Sequence, residues 1–299
     1  MAEGIRAFLN TQELTSLGQL TLQSRYVVEG SLAGRHRSPN RGSSSEFAEH
    51  RAYQIGDELK HLDWKVLART DRYFVRRYED ETNLRVYLLV DRSASMRYGR
   101  EAEQKYRFAC RLAAAIGYVV VQAQDSVGLC VFSKGIDVMT GTRNSVGHLN
   151  DTLKLLQQQK PAGRTRTADA LHRVADSIQR RAMIVIFSDL LDEPEEIIRA
   201  LAHFRKQHHD VIIFNTLHSD EIDFPFNKGS EFIDLETAER LQTDPRGIAG
   251  AYKKAFAEFL ERYRKGCSEM NIDYRLPRTS ERLDWFVRAF LEERRRLSR

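Results

Sequence analysis

The sequence predicts an α/β protein built on a doubly wound, mainly parallel sheet, preceded by an irregular N-terminal segment of short strands and helix. Three observations carry this expectation. From Leu84 onward, apolar runs of strand length alternate with segments of helical period. The runs "VYLLV", "AMIVIF" and "VIIFNTL" are apolar at successive positions, as strands covered on both faces are. Two of these strands end in oxygen-bearing side chains, at Asp91 and at Ser188-Asp189.

Residues 1–82 form the N-terminal segment. In "TQELTSLGQLTLQSRYVVEG", Leu14, Leu17 and Leu20 recur at helical spacing, and the loop "AGRHRSPNRGSSS" then interrupts the pattern. The following stretch, "EFAEHRAYQIGDELKHLDWKVLARTDRYFVRRYED", has no clean period and fits short strands and turns.

Residues 83–299 form the regular domain. "VYLLV" is its first strand. A helix follows in "EAEQKYRFACRLAAAIGYVVVQAQ", with Phe108, Leu112, Ile116, Val119 and Ala123 in helical repeat. "SVGLCVF" is a second strand, "IDVMT" a short edge strand, and helices cover 145–158 and 167–180. After the strand "AMIVIF", the helix "DEPEEIIRALAHFRKQ" takes Asp192 as its N-cap and a proline in its first turn. "VIIFNTL" is the next strand, and a hairpin is inserted near 230–244 in "EFIDLETAERLQTD". A helix in "GIAGAYKKAFAEFLERYRKG", a last strand "IDYRL" and a closing helix complete the domain.

At 299 residues, 41% hydrophobic and 30% charged, the composition is that of a globular protein with room for one substantial core. The formal charge of +5 permits an acidic partner without requiring nucleic acid. Cys110, Cys130 and Cys267 lie far apart with no CxxC pair, which reads as buried free thiols in a reducing compartment. No apolar run reaches signal-peptide or transmembrane length, so the expectation is a soluble, cytoplasmic protein.

In doubly wound sheets, ligands bind beyond the carboxyl ends of strands where the strand order reverses. Asp91, Ser93 and Ser95 stand at the end of the first strand, and Asp189 at the end of "AMIVIF". The glycine turn in "PAGRTRTADAL" brings Thr165 or Thr167 to the same edge. Asp91, Ser93, Ser95, Thr165 and Asp189 therefore make a candidate metal site. Two carboxylates among neutral hydroxyls suit a hard divalent cation, Mg2+ first and Mn2+ as the alternative. The plainer reading has Asp91 and the serines satisfying the turn that ends the strand.

Asp91-Arg92-Ser93-Ala94-Ser95, a threonine after a glycine turn and a strand-terminal aspartate resemble the metal-ion-dependent adhesion site of von Willebrand factor A domains. The stretch "GRHRSPNRGSSSEFAEHRAYQIGDELKHLDWKVLARTDRYFVRRYEDET" resembles the segment preceding such a domain in the bacterial domain of unknown function 58 family. The resemblance covers nearly the whole chain and implies a von Willebrand factor A-like fold. It implies direct metal ligation by the hydroxyls, with aspartates acting largely through water. The family usually has two glycines where this turn reads "GRT"; Thr165 and Thr167 both stand as the ligand, and position favours Thr165. Many members carry N-terminal membrane spans, and this chain shows none, which fits the cytosolic expectation.

The function implied is a non-enzymatic, metal-dependent interaction module, an adaptor for a MoxR-type AAA+ ATPase in assembly or maturation of other proteins. A carboxylate of the protein partner would complete the metal's coordination. A metal-dependent phosphoesterase is the alternative, since a magnesium site beside acids is able to hydrolyse phosphoesters. No phosphate loop, nucleophile elbow, HExxH or GxGxxG supports an enzyme. Nucleic-acid binding is a third reading, from the arginines and aromatics of "RTDRYFVRRYED", among them Arg76 and Arg77. Acids at both ends of that stretch leave no single basic face, which favours packing. Arg92 and Arg97 flank the motif as solvated charges or as steering groups for an acidic partner. His203, His208 and His209 lack the spacing of a helical zinc pair and read as structural.

Overall fold

The computed structural model describes residues 3–18, 20–22, 37–38, 46–53, 63–70, 72–81, 84–100, 104–163 and 166–297. The chain divides into a smaller unit, Tyr26–Leu84, and an α/β unit made of Met1–Arg25 and Arg85–Arg299. The first residues thus join the α/β unit, whereas the sequence grouped everything before residue 83 together. The reason is packing. Short helices α1 (Glu3–Arg6) and α2 (Thr11–Leu17) bury Ile5, Leu14 and Leu17, and Leu9 between them is buried too. Asn10 and Glu13 form a reciprocal capping box on α2. The Gly4 amide donates to Asn150 Oδ1 at 2.6 Å. A Cβ on Gly4 would fall 2.6 Å from the Asn150 carbonyl, so only glycine allows this approach.

In the smaller unit, β1 (Arg37–Ser38), β2 (Glu46–Ala52) and α3 (Trp64–Thr70) precede β3 (Phe74–Glu81). The strands make an antiparallel sheet in the order β1-β3-β2. Asp63 is buried, and its Oδ1 accepts the Val66 amide at 3.2 Å at the start of α3. The Tyr53 and Tyr73 rings meet beside the strands at 6.3 Å.

The α/β unit runs β4 (Arg85–Asp91), α4 (Lys105–Gln122), β5 (Ser126–Phe132), β6 (Ile136–Met139), α5 (Val146–Gln158), α6 (Thr167–Ser177), β7 (Met183–Ser188), α7 (Pro194–Lys206) and β8 (Asp210–Asn215). It continues with α8 (Ser219–Asp223), the hairpin β9 (Ser230–Ile233) and β10 (Arg240–Thr243), α9 (Pro245–Glu269), β11 (Asp273–Arg275) and α10 (Leu283–Leu297). The central sheet has the order β11-β8-β7-β4-β5-β6, parallel except for the edge strand β6. The strand order reverses between β4 and β7, the first and fourth strands of this sheet along the chain.

Alternation along the buried strands assigns each face. Leu89, Ile184, Ile186, Val211 and Ile213 pack with Leu171, Leu201, Phe204 and Tyr263 from α6, α7 and α9. On the opposite face, Phe187 stacks on Phe214, which meets Phe286 and Phe290 of α10 edge-on. The three cysteines are buried and free.

One helix cap differs from the expectation. The N-cap of α7 is Glu193, without a side-chain cap bond, rather than Asp192. Asp192 Oδ2 instead accepts the Thr167 amide at 3.1 Å, tying the start of α6 to the loop after β7. Sequence proximity favoured the local helix; the tertiary approach of α6 offered the same carboxylate a second set of unpaired amides.

Candidate metal site at the carboxyl edge of the sheet

The apolar side chains of β4 commit the strand to the core up to Val90, so Asp91 arrives at the sheet edge still fully buried. Its carboxylate turns the chain: Oδ1 accepts the Ser93 amide at 2.7 Å. A short 3-10 helix, Ala94–Arg97, follows. The Ser93 and Ser95 hydroxyl oxygens stand 2.9 Å apart. The loop is held from both sides by backbone bonds, Arg92 N to the Phe132 carbonyl at 2.9 Å and Ala162 N to the Arg92 carbonyl at 2.8 Å.

The glycine turn reaches this loop as well. Ala94 N donates to the Gly163 carbonyl at 3.0 Å, and Gly163 has φ of +90°, in the left-handed region that glycine adopts without strain. Thr165 lies outside the described residues. Thr167, the other candidate, has a buried hydroxyl with no hydrogen-bond partner among the described residues. A buried hydroxyl left unmatched is costly unless something unseen satisfies it.

The fourth strand supplies the opposite wall. Ser188 Oγ donates to Asp91 Oδ2 at 2.6 Å and accepts the Leu190 amide at 3.0 Å. Asp189 is buried; its Oδ2 lies 2.7 Å from Lys105 Nζ, and its Oδ1 accepts the Leu191 amide at 3.4 Å. Lys105 is itself buried and also meets Glu221 Oε1 at 2.6 Å. Glu221 Oε2 accepts the His218 amide at 2.8 Å, and the Tyr98 hydroxyl donates to the adjacent Asp220 at 3.0 Å.

The electrostatics follow from burial. Desolvation, reinforced by the negative charge of Asp189, pushes the Asp91 carboxyl up to about 7 against the bonds from Ser188 and Ser93. Burial opposes the charge of Lys105, but Asp189 and Glu221 together outweigh it and hold the ammonium above its ordinary value. Burial raises Glu221, with Lys105 pulling the other way.

Asp91, Ser93 and Ser95 thus share one loop, and Asp189 flanks it closely enough for its charge to act on Asp91. Sequence reasoning placed Ser188 at the strand end but not in the site, and it missed Lys105 and Glu221. Lys105 carried a signal: with Phe108, Ala109 and Leu112 it occupies the i, i+3, i+4, i+7 stripe that faces the core. Arg92 is not merely solvated, because its Nε donates to Asp137 at 2.8 Å. His209 is buried and Nδ1 accepts the Ala182 amide at 3.1 Å, while His203 Nδ1 lies 3.2 Å from His172 Nδ1.

Among the described residues, no three His, Cys, Asp or Glu side chains gather to hold a metal. A cation at this edge would rest on hydroxyl oxygens beside two carboxylates. The residues fit that role: the donors are all oxygen, two hydroxyls already converge, and the unmatched Thr167 hydroxyl belongs to the adjoining turn.

Strand order, an antiparallel edge strand and Asp-x-Ser-x-Ser at the end of the first strand define a von Willebrand factor A-like α/β domain. The chain belongs to the family described as Protein of unknown function DUF58, whose model matches residues 49–265. Relatives span almost the whole chain. An "Uncharacterized protein Rv1480" of Mycobacterium tuberculosis is 28% identical over 293 residues, which is 94% of this chain and 89% of the relative. "Uncharacterized protein Mb1516" of Mycobacterium bovis matches over the same extent with the same identity.

Among solved structures, the conserved hypothetical protein BatB from Bacteroides thetaiotaomicron is 14% identical, covering 72% of this chain and 99% of its own, with a TM-score of 0.45. An aerotolerance-related membrane protein from Bacteroides fragilis is 17% identical, with 72% and 100% covered and a TM-score of 0.47. The SpRpn10 VWA domain is 11% identical, with 70% and 95% covered and a TM-score of 0.42. The fold assignment itself rests on the strand order.

Proposed function

We propose that the chain is a metal-dependent protein-interaction module, acting as an adaptor for a MoxR-type AAA+ ATPase in assembly or maturation of other proteins. The observation that carries this reading is the cluster of neutral hydroxyls at the strand switch point, Ser93 and Ser95 in contact beside Asp91, with the Thr167 hydroxyl, without a partner among the described residues, just after the Gly163 turn that bonds Ala94. Ser93, Ser95 and Thr165 or Thr167 would hold Mg2+ or Mn2+, with Asp91 and Asp189 acting beside it. Bound among neutral ligands, such an ion supplies an electron-poor open position that accepts a carboxylate from a protein partner.

The chain's own residues support docking over turnover. Asp91 is committed to Ser93 N and Ser188, and Glu221 to Lys105 and His218 N. Both oxygens of Asp91 already accept hydrogen bonds within the fold, and both oxygens of Glu221 are engaged, which favours a fixed docking edge. Beside Asp189, Leu191 is 41% exposed and offers apolar surface to a docked protein.

The test measures binding of a purified MoxR-type AAA+ ATPase by biolayer interferometry, in Mg2+ and in EDTA. Binding is expected in Mg2+ alone and lost in Asp91→Ala with the fold retained. Equal binding in EDTA, or by Asp91→Ala, would overturn the reading.

A further inference from the structure

We propose that Lys105 is an internal counter-cation, a positioning residue that keeps Asp189 from ligating a metal directly and so sets how tightly this edge takes a divalent cation. The inference rests on the metal reading above and assigns a role to a residue outside the Asp-x-Ser-x-Ser motif.

Lys105 is the first residue of α4. A cation there faces the positive end of the helix macrodipole, and it is fully buried as well. Helix stability therefore does not account for it. What holds it is a pair of carboxylates from two separate elements: Asp189 at 2.7 Å, just past β7, and Glu221 at 2.6 Å, within α8. The Tyr98 ring lies 6.0 Å from the ammonium, and its edge-on partner His218 donates its backbone amide to Glu221. The cluster is thus built around the ammonium from four elements of the fold.

The consequence is electrostatic. Asp189 stands at the strand end where a metal-directed carboxylate is expected, yet Oδ2 is engaged by a fixed positive charge. A divalent cation approaching that oxygen meets a like charge that cannot withdraw into solvent. With Lys105 in place, Asp189 contributes at longer range and the neutral hydroxyls remain the direct donors. Without a metal, Lys105 supplies the charge that Asp189 and Glu221 need to stay buried.

Two substitutions push in opposite directions. Lys105→Met frees Asp189 and removes the like charge, and it is expected to tighten Mn2+ binding by roughly tenfold or more. Glu221→Gln removes a negative charge and leaves the ammonium to Asp189 alone, and it is expected to weaken Mn2+ binding by a similar factor. A merely structural role would weaken binding in both. The experiment is a Mn2+ titration by electron paramagnetic resonance on the full chain, with thermal unfolding recorded with and without Mn2+. Wild type and Asp91→Ala are run alongside.

If wild type binds Mn2+, Asp91→Ala does not, and the two variants match wild type or both weaken, the counter-cation role is overturned while the metal reading stands. If wild type takes up no Mn2+, the metal reading fails and this inference falls with it. Should Lys105→Met not fold, Lys105→Gln, which keeps a hydrogen-bonding side chain without the charge, decides: tighter Mn2+ binding supports the role, and unchanged or weaker binding overturns it.

Discussion

Ser188 and Asp91, on neighbouring parallel strands, are joined by a hydrogen bond of 2.6 Å in which the serine hydroxyl donates to Oδ2. The same hydroxyl accepts the Leu190 amide, so one side chain ties the motif of the first strand to the loop carrying Asp189. Ser188→Ala is expected to cost about 1–3 kcal/mol, since it leaves a buried carboxylate oxygen and a buried amide short of partners. Urea unfolding measures this. The loss should be larger above pH 7, where Asp91 is charged, and an equal loss at acid pH would contradict the assignment.

The raised Asp91 value, about 7 against an ordinary 3.8, makes stability depend on pH in a defined direction. Folding favours the protonated carboxyl. The resulting stabilisation is fully present below about 3.8 and is lost as pH rises through about 7. Through this group, metal-free protein should weaken across that window by on the order of a few kcal/mol. Asp91→Asn should flatten that slope in unfolding curves taken across the range.

Cation affinity should run the other way. A cation competes with the proton on Asp91, so Mg2+ binding is expected to strengthen as pH rises through about 7. Calorimetric titration with Mg2+ at several pH values checks this, and affinity independent of pH in that range would count against Asp91 as part of the site.

Thr167→Val separates a metal-facing hydroxyl from a structural one. The Thr167 hydroxyl is buried without a partner among the described residues, so replacing it by a methyl should leave metal-free stability unchanged or slightly higher. If that oxygen serves the ion, Mn2+ affinity drops while stability holds. Unchanged affinity would remove Thr167 from the ligand set.

At the opposite edge, Arg294 of α10 is buried and paired with Asp210 and Asp273, the first residues of β8 and β11. Arg294→Met takes the buried guanidinium from Asp210 and from Asp273, the latter still 3.9 Å from Arg275, and a loss of about 3–5 kcal/mol is expected. Because this cluster is at the amino ends of the strands, Mn2+ affinity of the folded variant should match wild type. The pair of measurements shows whether metal binding tracks the site or overall stability.

Much of the fold was legible from local pattern. The runs through Val90, Phe187 and Phe214 are apolar at successive positions because both faces of the sheet are covered, and together with their alternation with helices that implies a parallel sheet. The hairpin Ser230–Thr243 falls where the sequence places an inserted hairpin, between the strand through Phe214 and the helix Pro245–Glu269. Asp192 was misjudged because a capping carboxylate looks the same whether it serves the next helix or a distant one. The first helices were grouped with the smaller unit because the bond from Gly4 to Asn150 spans 146 residues, beyond the reach of any periodicity.

By itself the sequence determined the alternation of strands and helices, and with it where Asp91 and Asp189 leave the core, because burial periodicity is local and side-chain chemistry is read directly. The partners of those carboxylates were decided only in three dimensions. Lys105 is 84 residues from Asp189 and 116 from Glu221, and Ser188 is 97 from Asp91. Charge pairing in a buried site depends on distance and desolvation rather than on spacing along the chain, so which cation neutralises which acid appears only when the strands lie side by side.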